Sequence, residues 1–177
     1  MANKINWDFI SELEGAAIKV GYVPDADSSQ SGVTIGTGFD LGSKDEDFMT
    51  SIGVSSSITE KLKPFFSLKG AEAAEVANKL QLDDSEVKEL DSASKNYYAN
   101  KIIEKYEHDS GKSFDDLSSE QQTVITSVGF QYGSFDRTPA FWAAVTNGDW
   151  ETVEKELRDF GDNYSKRRIK EANLLGK

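Results

Sequence analysis

The 177-residue chain carries 31 acidic and 20 basic side chains, a formal net charge of −11 at pH 7. That sign excludes the basic footprint of a nucleic-acid binder, and no run of about 18 apolar residues is present to span a membrane. Zero cysteines and a single histidine, His108, exclude disulfides, thiolate sites and multi-His metal centres, so neither a metal nor a cofactor is expected. The length gives one domain, 1–177, able to bury on the order of 70% of its unfolded surface. Met1 to Ile10 lacks the basic start and apolar stretch of a signal peptide, so the expected product is made in the cytoplasm. The charge is uneven: residues 165–177 hold Lys166, Arg167, Arg168, Lys170 and Lys177 against Glu171 alone, a local +4 that leaves −15 elsewhere. Such a basic helix either faces an anionic polymer or pairs with carboxylates of its own chain.

Taken in chain order, Ile5, Phe9, Leu13, Ala16 and Val20 recur at helical spacing and predict a helix over 6–20, stopped by Gly21 and Pro24. Between 22 and 42 the texture turns to Gly, Ser, Thr and Val, and Val33-Thr34-Ile35 alternates between glycines as a short hairpin would. Everything later reads as helix. Ser57 to Leu68 forms one with a break at Pro64, 70–80 a second, and 84–108 a long one with Val87, Leu90, Ile102 and Tyr106 on one face. Ser118-Ser-Glu-Gln121 opens the next as a capping box. Pro139 starts a helix ending at Asn147-Gly148, Asp149 caps another through Phe160, and Ser165 a last one through Leu175. The fold class is α+β, mostly α.

The unusual stretch is Ser31-Gly-Val-Thr-Ile-Gly-Thr-Gly-Phe-Asp-Leu-Gly42. Gly36, Gly38 and Gly42 permit tight turns and the close approach of a ligand to backbone. No Lys-Ser/Thr follows, which removes a phosphate loop. A calcium loop starting at Asp25 would place Gln30 and Gly36 where Gly and Glu are required. What remains is Glu14, four residues after Ile10 at the edge of an apolar stripe, with carboxylates and a Thr on the following sheet. A carboxyl partly removed from water becomes a proton donor near neutral pH, while a wetter, hydrogen-bonded carboxylate stays ionised and activates water. Two such groups are what cleavage of a glycosidic bond requires.

Glu14-Gly15 followed by Thr34-Ile-Gly36-x-Gly38 resembles the Glu-Gly and Thr-Ile-Gly-x-Gly elements of T-even phage lysozymes. In the same order, Val128-Gly-Phe-Gln-Tyr-Gly133 resembles that family's Phe-Gln-x-Gly segment, Gly148-Asp-Trp150 its late Trp-containing helix start, and Ser165-Lys-Arg-Arg168 its final arginine-bearing helix. Gly21-Tyr-Val-Pro24 and the 31–42 stretch are closer to the lysozyme domain of pesticin and its relatives. The resemblance runs along nearly the whole chain and is weakest over 43–115.

The resemblance implies a muramidase that cleaves the N-acetylmuramic acid to N-acetylglucosamine β-1,4 linkage of a peptidoglycan glycan strand with inversion. It implies a lysozyme-like fold with a small β-containing lobe at about 15–83 and a helical lobe from about 1–14 and 84–177, joined by the long helix with the cleft between. By position Glu14 is the general acid and Thr34 holds the attacking water. The water-activating carboxylate is Asp40 on the pesticin pattern; Asp25 or Asp27 takes that place on the T-even pattern. Gln131, Gly38 and Arg168 are the expected substrate contacts, and Arg167 or Arg168 the expected partner of Glu14. His108 is expected in solvent. Trp7, Trp142 and Trp150 are expected in the core, with stacking on sugar as the other reading. A lysozyme-fold module that grips wall glycan or a partner protein without cleaving is the alternative, which loss of Glu14, Thr34 or Asp40 would have favoured. The expected protein is a monomer, with an inhibitor or immunity protein left open as partner. It reaches the wall through holin-type release or injection by a secretion machine, as a phage endolysin, an effector or a toxin domain.

Overall fold

The computed structural model describes residues 3–24 and 30–176. Asp25 and Asp27 therefore lie outside the described residues. The described chain is mostly helical with one small antiparallel sheet, the α+β class its sequence predicts. It divides into two compact units, Gly15–Tyr97 and Met1–Glu14 with Tyr98–Lys177.

Helix α1 (Trp7–Glu14) is shorter than its periodicity predicts. Asn6 caps its start, Oδ1 accepting from the Phe9 amide at 3.0 Å. It stops where Gly15 takes φ +86°, the left-handed turn that closes helices. Residues predicted to continue it instead form strand β1 (Ile18–Tyr22). Gly21, expected as a helix stop, lies inside that strand for a steric reason. A Cβ there would stand 2.4 Å from the Ala77 carbonyl oxygen, and its amide donates to the Leu80 carbonyl at 2.9 Å.

In the Gly15–Tyr97 unit the sheet order is β1-β2-β3. β2 (Thr34–Gly36) pairs with β1 through Ile18↔Gly36 and Tyr22↔Thr34, and with β3 (Phe39–Asp40) through Thr34↔Asp40 and Ile35↔Phe39. Val33, Ile35 and Leu41 enter a core shared with α2 (Glu46–Ser51), α3 (Ser56–Leu62) and α4 (Gly70–Val76). Pro64 breaks the second of these into a 3-10 turn at Lys63–Phe65, as expected. Val87 and Leu90 of α5 (Asp84–Ser110) complete this core.

The second unit is built on α6 (Ser119–Tyr132), whose residues 122–129 are all buried, so the helix is enclosed on every side. Its predicted capping box is present in full: the Ser118 hydroxyl accepts from the Gln121 amide and the Gln121 side chain from the Ser118 amide. Gly129 admits Ile102, whose Cδ1 would lie 2.7 Å from an added Cβ. The N-terminal segment is tied to α6 by polar contacts: the Lys4 amide donates to Gln122 Oε1 at 2.7 Å and the Asn6 amide to Thr123 Oγ1 at 2.8 Å. These bonds fix where α1 runs and hence where Glu14 ends. Helices α7 (Pro139–Asn147), α8 (Trp150–Arg158) and α9 (Ser165–Leu175) follow. α9 begins after Tyr164, with Ser165 as its first turn rather than its cap.

Candidate active site

Glu14 is the last residue of α1, where the helix dipole disfavours a negative charge. The compensating cation comes from α9: Arg167 Nη2 donates to Glu14 Oε1 at 2.6 Å. Of the two arginines that sequence left open as its partner, Arg167 is therefore the one. The same nitrogen donates to the carbonyl of Ser127 at 3.0 Å and to its hydroxyl oxygen at 3.1 Å. Arg167 Nε donates to Glu171 Oε1 at 3.2 Å. The Glu14 side chain remains 22% exposed, while Arg167 is 11% exposed and Glu171 fully buried, so the carboxylate meets solvent and its support does not.

Arg168 has a different place from the substrate contact expected of it. It is 1% exposed. Its nitrogens donate to Glu171 Oε2, to Gln131 Oε1 and, at 2.9 Å, to Asp162 Oδ2. Its guanidinium lies 4.6 Å from the centre of the Phe160 ring. A guanidinium so enclosed organises the interior. Gln131, half-buried and expected as a substrate contact, is held by Arg168. Tyr132 donates its hydroxyl to Asp162 at 2.7 Å. Burial pushes the Asp162 carboxyl up, but hydrogen bonds from Tyr132, the Tyr164 amide and Arg168 outweigh it and hold it below the ordinary carboxylate range.

In the other unit Thr34 and Asp40 stand directly opposite each other on paired strands, and both are tied to the peptide units of Gly32. Asp40 Oδ1 accepts from the Gly32 amide at 3.0 Å and the Gly42 amide at 2.7 Å. The Thr34 hydroxyl donates to the Gly32 carbonyl at 3.2 Å. Asp40 is half-buried and its Oδ2 has no hydrogen bond among the described residues, whereas Thr34 is 2% exposed. Gly32 and Gly42 are glycines because their backbones touch: a Cβ on Gly32 would stand 2.3 Å from Gly42 Cα. Gly38 lies in the β2–β3 turn at φ +94°, with open space where a side chain would be.

Sequence reasoning missed two supports. Asp91 of α5 accepts from the Thr37 amide at 3.0 Å and lies against Gly36, so it pins the turn that carries Gly38. Its signal was an acid one residue after Leu90 and four after Val87, on the buried stripe of the helix. Glu171, which joins Arg167 to Arg168, is the other. His108 is exposed beside Asp109, as expected. Trp7 packs edge-on against Phe130, and Trp142 stacks on Phe135 at 3.9 Å between ring centres. Among the described residues no group of three or more His, Cys, Asp or Glu is placed to hold a metal ion. None of their helices is long and apolar enough to cross a membrane.

A mostly helical chain with a small three-stranded antiparallel sheet, and with candidate carboxylates each fixed through one oxygen, is of the lysozyme-like α+β class. The chain belongs to the pesticin family, described as a bacterial toxin homologue of phage lysozyme, C-terminal part, whose profile matches residues 4–151. Glu14, Thr34, Gly38, Asp40 and Gln131 fall inside that span; Arg167, Arg168 and Glu171 fall outside it. No curated protein matches the chain.

Proposed function

We propose that the protein is a peptidoglycan hydrolase, a muramidase that cleaves the N-acetylmuramic acid to N-acetylglucosamine β-1,4 linkage with inversion. In this reading Glu14 gives its proton to the glycosidic oxygen as the bond to the anomeric carbon breaks. A water molecule attacks that carbon from the other face of the ring, and Asp40 takes the proton the water loses. Thr34 Oγ1, whose own proton is directed at the Gly32 carbonyl, offers its lone pairs to orient the water. The observation that carries the reading is the seating of Asp40. Two backbone amides hold Oδ1, which aims the carboxylate and leaves Oδ2 to accept a proton. Membership of a family homologous to phage lysozyme supports the reaction class.

The test is release of reducing ends from purified peptidoglycan by the wild type, Glu14→Gln and Asp40→Asn, with the anomer formed first followed by NMR. Both variants should lose at least about 10²-fold in kcat while circular dichroism stays native, and the wild type should form the α-anomer. Retained activity in Asp40→Asn would move the base to another carboxylate. A wild type that releases nothing from several walls would overturn the enzyme reading.

A further inference from the structure

Arg167 serves two carboxylates. One is the half-buried Glu14; the other, Glu171, is fully buried four residues along the same helix, where side chains at i and i+4 meet. Resting on Glu14 as the acid, we propose that Glu171 is a positioning residue: it holds Nε of Arg167, so that Nη2 is aimed at Glu14, and it takes up part of the guanidinium charge that Glu14 would otherwise face alone.

Three features carry this. Ser127 closes the arrangement, since its hydroxyl donates to Glu171 Oε1 at 2.5 Å while its oxygens accept from Arg167 Nη2. Arg167 is thereby held at both Nε and Nη2, which fixes the direction in which Nη2 points. Second, Glu171 is also held by Arg168 through its other oxygen, so it does not turn away with solvent motion. Third, a buried carboxylate between two arginines is not what packing alone requires, because apolar side chains of the same volume stabilise such positions as well or better. The charged groups around this chain of contacts are Glu14 from α1, Arg167, Arg168 and Glu171 from α9, and Asp162 before α9; α6 contributes the neutral Ser127, Gln131 and Tyr132. Removing the Glu171 charge leaves Nε of Arg167 without its carboxylate and the guanidinium charge unshared toward Glu14.

The experiment is the pH profile of kcat/KM on purified peptidoglycan for the wild type, Glu171→Gln and Glu171→Asp. The alkaline limb, which reports loss of the acid's proton, should move down by about one pH unit in Glu171→Gln. It should return toward its wild-type place in Glu171→Asp, which restores the charge. KM should hold within about twofold, because Glu171 touches no substrate. If Glu171→Gln does not fold, Ser127→Ala serves instead, with kcat several-fold lower at unchanged KM. A limb that stays put in folded Glu171→Gln, or a loss seen equally in Glu171→Asp, overturns the positioning role. Wild-type activity abolished by Glu14→Gln in parallel keeps the acid assignment separate from this result.

Discussion

The tightest constraint on the candidate base is the backbone contact beneath it, and Gly32→Ala tests that contact directly. An added Cβ would stand 2.3 Å from Gly42 Cα and N and 2.5 Å from Asp40 Oδ1. Ordinary contact begins at 3.4 Å, so the two segments must part by about 1 Å, because the two nearest atoms are backbone and cannot swing aside. Parting them stretches both amide bonds to Asp40 Oδ1, now 3.0 and 2.7 Å. Hydrogen bonds to a charged group contribute about 1.5–3 kcal/mol each, and overpacking costs about 1–3 kcal/mol. Allowing for partial retention of the bonds, the loss should be about 3–6 kcal/mol, a large part of a typical domain's 5–15 kcal/mol. Gly53→Ala is the control: it has φ +82° and nothing within 4 Å of the added atom, so only backbone strain of about 1 kcal/mol applies. Urea unfolding followed by circular dichroism measures both. Hydrolysis assayed at a temperature where Gly32→Ala is still folded should fall with the displacement of Asp40. Equal destabilisation in the two variants, or full activity in folded Gly32→Ala, would refute the seating argument.

Asp162 gives a pH dependence with a definite sign. Its carboxyl is held below its ordinary range in the folded state, so its contribution is fully present above the unfolded value of about 3.9 and is lost as pH falls through the folded value. The stability difference between wild type and Asp162→Asn, measured by urea unfolding, should therefore shrink below about pH 4 and be constant between pH 5 and 7. Ser118→Ala removes the cap that accepts from the Gln121 amide; it should cost about 1 kcal/mol and lower Tm by roughly 2–4 °C in a thermal melt.

What could be read from the sequence divides by the range of the interactions involved. Caps and stops are local, and Ser118, Pro139, Gly148 and Asp149 all act as their chemistry predicts. Val33-Thr34-Ile35 alternating between glycines announced the hairpin, and Gly36, Gly38 and Gly42 were read as turn formers open to a ligand, but the backbone contact of Gly32 with Gly42 was not foreseen. Strand β1 was misread because Ala16 and Val20 continue the helical spacing by coincidence. Gly15 overrides it, and the close approach of residues 77–80 to Gly21 lies far away in sequence. The supports of the site were hidden for a related reason. Asp91 meets Thr37 across 54 residues, and Glu171 reaches Glu14 only through Arg167, which lies 153 residues from Glu14 and was itself an expected partner. Helix α9 even inverts the usual polarity, with Ile169 46% exposed while Arg168 and Glu171 are buried. Hydropathy assigns those three residues to the wrong faces.

That inversion decides between the two readings of the basic C-terminal helix. If its charge served to meet an anionic polymer, the arginines would face solvent; instead Arg167 and Arg168 are countered by Glu14, Glu171 and Asp162. Among the described cations of α9, Lys166 and Lys170 are the exposed ones. Reversing both, as Lys166→Glu with Lys170→Glu, should change stability by no more than about 0.5 kcal/mol per site, since each acts in solvent. Arg168→Met removes one charge only, yet leaves the buried Glu171 and the half-buried Asp162 without it and should cost about 3–5 kcal/mol. Urea unfolding at matched ionic strength compares them. The argument fails if the double lysine reversal is the more damaging. It also fails if added salt lowers the stability of the wild type as it would for surface pairs, because buried pairs are screened far less.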